Sequence, residues 1–116
     1  MQITERRLGS ATILDLAGEL TYANRSAFKG AVERSKLAGC RHLVLNMEGV
    51  RFLDSSALGM LALLSQSLKA LQGHISLLNP QSYVREIITL ANLHRVLPIY
   101  NTEQDALAGA KLPAVS

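Results

Sequence analysis

The sequence is poor in aromatic residues and in concentrated charge. It has 116 residues, no tryptophan and an aromatic fraction of only 4%, so it offers few rings on which the bases of single-stranded nucleic acid could stack. The formal net charge is +3, but the 12 lysine and arginine residues are scattered along the chain and form no dense basic cluster. These features predict that nucleic acid is not a partner.

Cysteine is also nearly absent. Cys40 has no second cysteine with which to form a disulfide, which suits a reducing compartment. We expect it to be a small residue, buried or half-buried, at the start of a strand. Residues 1–7 lack the apolar core of a signal peptide. The uncharged run at residues 55–68 is too short to span a bilayer. The sequence therefore predicts a cytoplasmic protein without membrane insertion.

Residues suited to catalysis or metal binding are not spaced to work together. His42, His74 and His94 are far apart, without metal-ligand spacing, and we interpret them as strand-end or surface histidines. No glycine-rich loop fits a dinucleotide-binding or P-loop pattern. Asp54 and Ser55 are adjacent, but no histidine is placed to complete a catalytic relay. We predict no catalytic residue, no metal site and no cofactor, and hence a protein that is not an enzyme.

The amino-acid composition, with 48% hydrophobic and 18% charged residues, and the length of 116 residues are typical of one folded domain. Hydrophobic periodicity predicts the order β-β-α-β-α-β-α-β-α. This order favours an α/β fold with one mixed, mostly parallel sheet of about five strands, flanked by about four helices. We assign residues 1–110 to the domain and residues 111–116 to a flexible tail. The predicted strands are residues 3–7, 11–17, 42–46, 74–78 and 96–100, and the longest predicted helix is residues 57–71.

The loop before that helix contains Asp54, Ser55 and Ser56, which are residue types that cap helix N-termini. A hydroxyl group there lies near the positive end of the helix dipole and beside free backbone N–H groups, so it could carry a phosphate. An ordinary helix cap explains the same residues. Local spacing leaves both interpretations open.

The helix itself has more apolar residues than one sheet-facing stripe requires. Apolar surface around more than one stripe comes from Leu58, Met60, Leu61, Leu63 and Leu64, together with Ala57 and Ala62. Either other elements bury this surface, or part of it is exposed as a docking patch beside Ser55. Both alternatives remain open at this stage.

Residues 45–59, which read LNMEGVRFLDSSALG, resemble the central signature of STAS domains, specifically the bacterial anti-sigma factor antagonists. In that signature a buried strand leads into Asp-Ser-(Ser or Thr)-Gly-Leu-Gly and then a helix. The segment Gly18-Glu19-Leu20 is similar to the family's Gly-Glu-Leu-Asp segment before its first helix. The resemblance extends over nearly the whole chain and implies a single STAS domain.

This resemblance implies a function in partner switching. In the family, the unphosphorylated antagonist binds a serine-kinase anti-sigma factor of the histidine-kinase-like ATPase fold and frees the sigma factor. The kinase phosphorylates the first serine after the aspartate, here Ser55, and a PP2C-type phosphatase reverses the reaction. We expect a monomer or weak dimer. The partner-binding residues that the resemblance indicates are Gly18, Glu19, Thr21, Asp54, Ser55, Ser56, Ala57, Leu58, Gly59 and Met60.

Two residues depart from the family pattern. Ala57 replaces a common glycine, and we expect its extra methyl group on the surface that faces the kinase. Thr21 replaces an aspartate, which removes a negative charge and could either ease phosphate accommodation or indicate another partner. The alternative function is a constitutive STAS scaffold, or a subunit associated with an ABC transporter, that phosphorylation does not regulate.

Overall fold

The computed structural model describes residues 1–109, so Ala110 and the tail predicted at residues 111–116 lie outside the described residues. The order of strands and helices is the predicted one, with short 3₁₀ turns added at Tyr22–Asn24 and Leu93–Arg95. The strands are β1 (Gln2–Leu8), β2 (Ala11–Leu20), β3 (His42–Leu53), β4 (His74–Leu78) and β5 (Ile99–Tyr100). The helices are α1 (Arg25–Leu37), α2 (Ser55–Ala70), α3 (Ser82–Leu90) and α4 (Glu103–Gly109).

One sheet of five strands forms the centre of the domain, in the order β1-β2-β3-β4-β5. β1 is antiparallel to β2, and the other neighbours are parallel. This architecture confirms the predicted α/β fold with a mixed, mostly parallel sheet and four helices. Because β2, β3 and β4 run in the same direction, the loops that follow them meet at the same edge of the sheet.

Alternation along β3 divides the core between the two faces of the sheet. Leu43 and Leu45 belong to the larger cluster, which also contains Phe28 of α1 and Leu61 of α2. Val44 instead belongs to a smaller cluster, with residues that include Ala106 of α4. The three longer helices thus cover one face, and α4 covers the other.

β3 is longer than the sequence predicted, because it continues beyond residue 46 to Leu53. Glu48 and Gly49 interrupt its apolar pattern, although β2 and β3 remain paired as far as Leu20 and Leu53, through two shifts in register. A Cβ atom at Gly49 would lie 2.8 Å from the Leu16 carbonyl oxygen. Glycine therefore permits this close approach of the two strands.

Other boundaries also differ from the prediction. α2 begins at Ser55 rather than residue 57, and β5 contains only two residues, directly after Pro98. A helical spacing of three and four residues predicts that Ala23 and Ala27 face the sheet, but both are exposed, and Ala23 lies before the start of α1. The buried stripe of α1 consists of Phe28, Ala31, Val32 and Ser35.

His42, at the start of β3, is a buried strand-end histidine. Its Nε2 atom lies 3.2 Å from the hydroxyl oxygen of Ser76, and its ring meets that of His74 edge to face. Burial of the ring lowers the pKa of His42 to about 4, and repulsion from a positive charge on His74 is a second, smaller cause. The side chain is therefore neutral at pH 7.

This shift gives a measurable pH dependence. We expect the ring protons of His42, followed by NMR and assigned with a His42→Gln variant, to titrate with a midpoint at about pH 4. In an unfolded chain, histidine titrates at about pH 6.5. As the pH falls between those values, the unfolded state takes up the proton first, so the free energy of unfolding decreases. A midpoint for His42 at its unfolded value would contradict the prediction.

Candidate functional site

The candidate site lies where β2 and β3 end at the same edge of the sheet. β2 leads into Thr21 and the 3₁₀ turn, whereas β3 leads into Asp54 and α2. Asp54 joins the two segments through both carboxylate oxygens. Oδ1 accepts a hydrogen bond from the N–H of Ala57 at 2.9 Å, and Oδ2 accepts one from the N–H of Tyr22 at 3.1 Å.

Asp54 is therefore both the N-cap of α2 and a link between loops that are far apart in sequence. Its backbone also participates, because its N–H donates to the Leu20 carbonyl at 3.3 Å and its carbonyl accepts from Leu58 at 3.2 Å. The helix cap confirms one interpretation of the sequence. The link to Tyr22 was missed, since nothing in local spacing pairs these positions.

Further contacts order the loop after β2. The Asn24 side-chain amide donates to the Glu19 carbonyl at 2.6 Å, and more distantly to the Thr21 hydroxyl at 3.4 Å. The Arg25 guanidinium lies over the Tyr22 ring, with Cζ 3.6 Å from the ring centroid. Tyr22 is nevertheless 56% exposed, so it presents an ordered aromatic ring to solvent beside Asp54.

Ser55 is the first residue of α2, and it is exposed. Among residues 1–109, no hydrogen-bond partner holds its hydroxyl group. The backbone N–H groups of Ser55 and Ser56 lie in the first turn and have no carbonyl partner within the helix. The Ala57 N–H is already bonded to Asp54. A reachable hydroxyl group thus lies beside free donors at the positive end of a helix of 16 residues.

The other residues predicted to bind a partner differ in their exposure to solvent. Glu19 and Gly59 are exposed, and Gly18 adopts a φ of +111°, which L side chains rarely adopt. The half-buried residues of this set are Gly18, Thr21, Asp54, Ser56, Leu58 and Met60.

Ala57 does not contribute to this surface. Its exposed fraction is 0%, because it lies on the side of α2 that packs into the main core. The expectation that its methyl group faces a partner is therefore wrong. The change from the family's glycine adds core packing rather than a surface contact.

The apolar surplus of α2 is divided between the core and the surface. Leu61, Leu64 and Leu68 are buried, whereas Leu63 is 67% exposed and Met60 is half-buried. Met60 and Leu63 line an open groove of about 220 Å³ between α1 and α2. Part of the apolar surplus is therefore buried and part is exposed, and docking at the exposed part stays a prediction.

The sequence was compared with models of known protein families. The sequence profile of the STAS domain matches residues 2–106. The chain belongs to the STAS domain family. Within residues 1–109, this STAS domain has no helix that is long and apolar enough to cross a membrane.

Relatives of this STAS domain include proteins named for sigma-factor regulation. It is 26% identical, over 92% of either chain, to the anti-sigma F factor antagonist of Paenibacillus polymyxa. It has the fold of an anti-sigma factor antagonist from Mycobacterium paratuberculosis, with a TM-score of 0.84, 22% identity and coverage of 96% and 94%. It also shares the fold of the phosphorylated form of SpoIIAA, a Bacillus cell fate determinant, with a TM-score of 0.71, 22% identity and coverage of 93% and 98%.

Proposed function

We propose that this STAS domain is an anti-sigma factor antagonist that acts by partner switching. Its unphosphorylated form binds a serine-kinase anti-sigma factor of the histidine-kinase-like ATPase fold and so frees the sigma factor. Phosphorylation of Ser55 ends this binding, and a PP2C-type phosphatase restores it. The observation that carries the proposal is the exposed Ser55 hydroxyl group at the first position of α2, beside the fixed Asp54 cap.

Two similarities support the proposal. The Paenibacillus polymyxa relative, which is similar over 92% of either chain, is named an anti-sigma F factor antagonist. SpoIIAA shares the fold, and its structure is of a phosphorylated form. The phosphoryl group would pass from ATP to Ser55 Oγ, with cleavage of the bond between the β- and γ-phosphates and release of ADP and the hydroxyl proton.

The physical basis of the switch is a change of charge at one small side chain. An unmodified serine is neutral and can be covered by a partner at little desolvation cost. A phosphate adds roughly −1.5 to −2 charges at pH 7. Covering that charge with an acidic or apolar surface costs several kcal/mol, and about 1.4 kcal/mol already changes an affinity tenfold.

The free protein can accommodate the same phosphate. The N–H groups of the first turn of α2 point toward the position of an added anion, and the helix dipole favours negative charge there. Asp54 directs its oxygens to Ala57 and Tyr22, so it is already engaged by donors. We therefore expect phosphorylation to weaken binding of the partner more than it lowers the free energy of unfolding of the domain.

The docking surface that we propose extends from Ser55 to its exposed and half-buried neighbours. It includes Glu19 and Thr21 at the end of β2, and Gly59 and Met60 along α2. Tyr22 adds an exposed ring at the same edge, and amphipathic aromatic residues are enriched at protein interfaces. The Thr21 departure leaves a neutral hydroxyl at this edge, where an aspartate would add negative charge beside the phosphate.

Capture experiments with and without ATP test the proposal. The immobilised chain should retain a serine kinase of the histidine-kinase-like ATPase fold from a lysate of the organism that encodes it, and ATP should release that kinase. A Ser55→Ala chain should retain the same kinase in both conditions. A stable partner that remains bound with ATP, equally for both chains, would support the constitutive scaffold instead.

A further inference from the structure

A second concave surface lies at the opposite edge of the sheet from Ser55. It is a pocket of about 360 Å³ between the second half of α2, the first residues of β3 and β4, the segment before β5, and Gly109 at the end of α4. The first residue of β3, His42, lies at this pocket, and β3 ends at the opposite edge of the sheet, two residues before Ser55. The function proposed above does not use this pocket.

The pocket is lined by cationic and hydrogen-bonding side chains. The positive charges come from Lys69 and Arg95, and His74 adds an imidazole ring. No aspartate or glutamate is among the described residues that line the pocket. Within residues 1–109, neither Lys69 nor Arg95 forms an ion pair. Within this part of the chain, no carboxylate competes with an anion for these two charges.

The floor of the pocket is a fixed polar pair. His42 is 5% exposed and Ser76 is 3% exposed, and both line the pocket while sharing the 3.2 Å contact between Nε2 and Oγ. Ser65 fixes one wall, because its hydroxyl group donates to the Val96 carbonyl at 3.1 Å. These contacts preorganise polar groups at the base of the pocket before a ligand arrives.

A backbone donor also points into this space. The N–H groups of Leu77 and Asn79 donate toward β5, to the carbonyls of Pro98 and Tyr100 at 2.8 and 2.7 Å. Because N–H directions alternate along a strand, Ile75 directs its N–H to the same side. Pairing with β5 is confined to Leu77 and Leu78, so the Ile75 N–H faces the pocket below the end of that ladder.

We propose that this pocket binds a small organic phosphate. Lys69 and Arg95 supply charge-assisted hydrogen bonds to the phosphate oxygens, and the Ile75 N–H adds a neutral donor. Val96 and Pro98 provide an apolar wall against which the organic part of a phosphate ester packs. The volume lies within the range of small-molecule sites, which is about 300–1,000 Å³. Free phosphate shares the anionic chemistry but lacks the part that contacts the wall.

NMR titration of the full chain tests this site. Amide spectra are recorded with inorganic phosphate, phenyl phosphate and phenol as probes. We expect saturable shifts at Gly73, His74 and Ile75 with both phosphates, tighter binding of phenyl phosphate, and no saturable shift with phenol. Replacing both cations, in a Lys69→Gln/Arg95→Gln variant, should weaken phenyl phosphate binding about tenfold or more through lost charge-assisted hydrogen bonds.

A control variant of equal net charge distinguishes binding in this pocket from a general attraction of the phosphate to a positively charged protein. Lys29→Gln/Arg34→Gln removes two cations from α1 and gives the same net charge, so it should leave the affinity within about twofold, as expected for distant surface charges screened by salt. Equal weakening by both variants would overturn the proposal. Shifts confined to the first turn of α2, or no saturable shift at these residues with either phosphate, would overturn it as well.

Discussion

A Ser55→Asp chain is expected to bind the proposed kinase about a hundredfold or more weakly than the unsubstituted chain, whereas Ser55→Ala should preserve the affinity. The aspartate places a negative charge where the partner must cover the side chain, and the several kcal/mol of desolvation and charge mismatch correspond to that change in affinity. Alanine keeps the position small and neutral. Titration calorimetry with the purified kinase, in the absence of ATP, measures both affinities.

The chain offers a matched control for the added charge. Ser82 is the exposed first residue of α3, so Ser82→Asp places the same charge at the N-terminus of the next helix along this face of the sheet. Ser82 lies at the same edge of the sheet as Ser55 but is not among the residues of the proposed docking surface, so we expect this variant to bind within about threefold of the unsubstituted chain. Equal affinities of Ser55→Ala and Ser55→Asp would contradict the switch and support the constitutive scaffold.

An Asp54→Ala chain is expected to lose about 2–3 kcal/mol of its free energy of unfolding. The substitution removes a helix N-cap, which contributes about 1 kcal/mol, and leaves the Tyr22 N–H without its charged acceptor, at a similar or larger cost. Urea denaturation measures the change. Because the link between the two loops is lost, binding of the kinase should also weaken, even though Ser55 is intact.

Asp54→Asn distinguishes the two contributions. Asparagine caps a helix about as well as aspartate, so its carbonyl oxygen can still accept from Ala57. Its amide nitrogen cannot accept from the Tyr22 N–H. We expect a loss of about 1 kcal/mol, with α2 retained. If the alanine and asparagine variants were as stable as the unsubstituted chain, neither carboxylate contact would matter for the fold.

The sequence was sufficient for the architecture because the relevant signals are local. Strands such as residues 74–78 are short apolar runs between turn residues, and α2 is rich in helix-forming residues, so each could be recognised separately. Their order then restricts the topology, since parallel strands need helical crossovers. The cap of α2 was also recognisable, because aspartate is a common N-cap residue. Asp54 accepts a hydrogen bond from the N–H of Ala57, three residues later.

The remaining features depend on contacts between distant segments. β3 continues past Glu48 and Gly49 because β2 lies beside it, which no local pattern of β3 indicates. Ala57 is an exception, because its spacing from Leu61, Leu64 and Leu68 is the helical period of the buried stripe of α2, so the sequence already contained the signal that it faces the core. Tyr22 joins the site through a hydrogen bond to Asp54, a residue 32 positions away.

The most direct test is to map the phosphate after the chain is incubated with its kinase and ATP. Tandem mass spectrometry should find the phosphate on Ser55, and the Ser55→Ala chain should stay unmodified while still binding the kinase. Phosphate on Ser56 or on any other residue, with Ser55 unmodified in a chain that binds the kinase, would contradict the account.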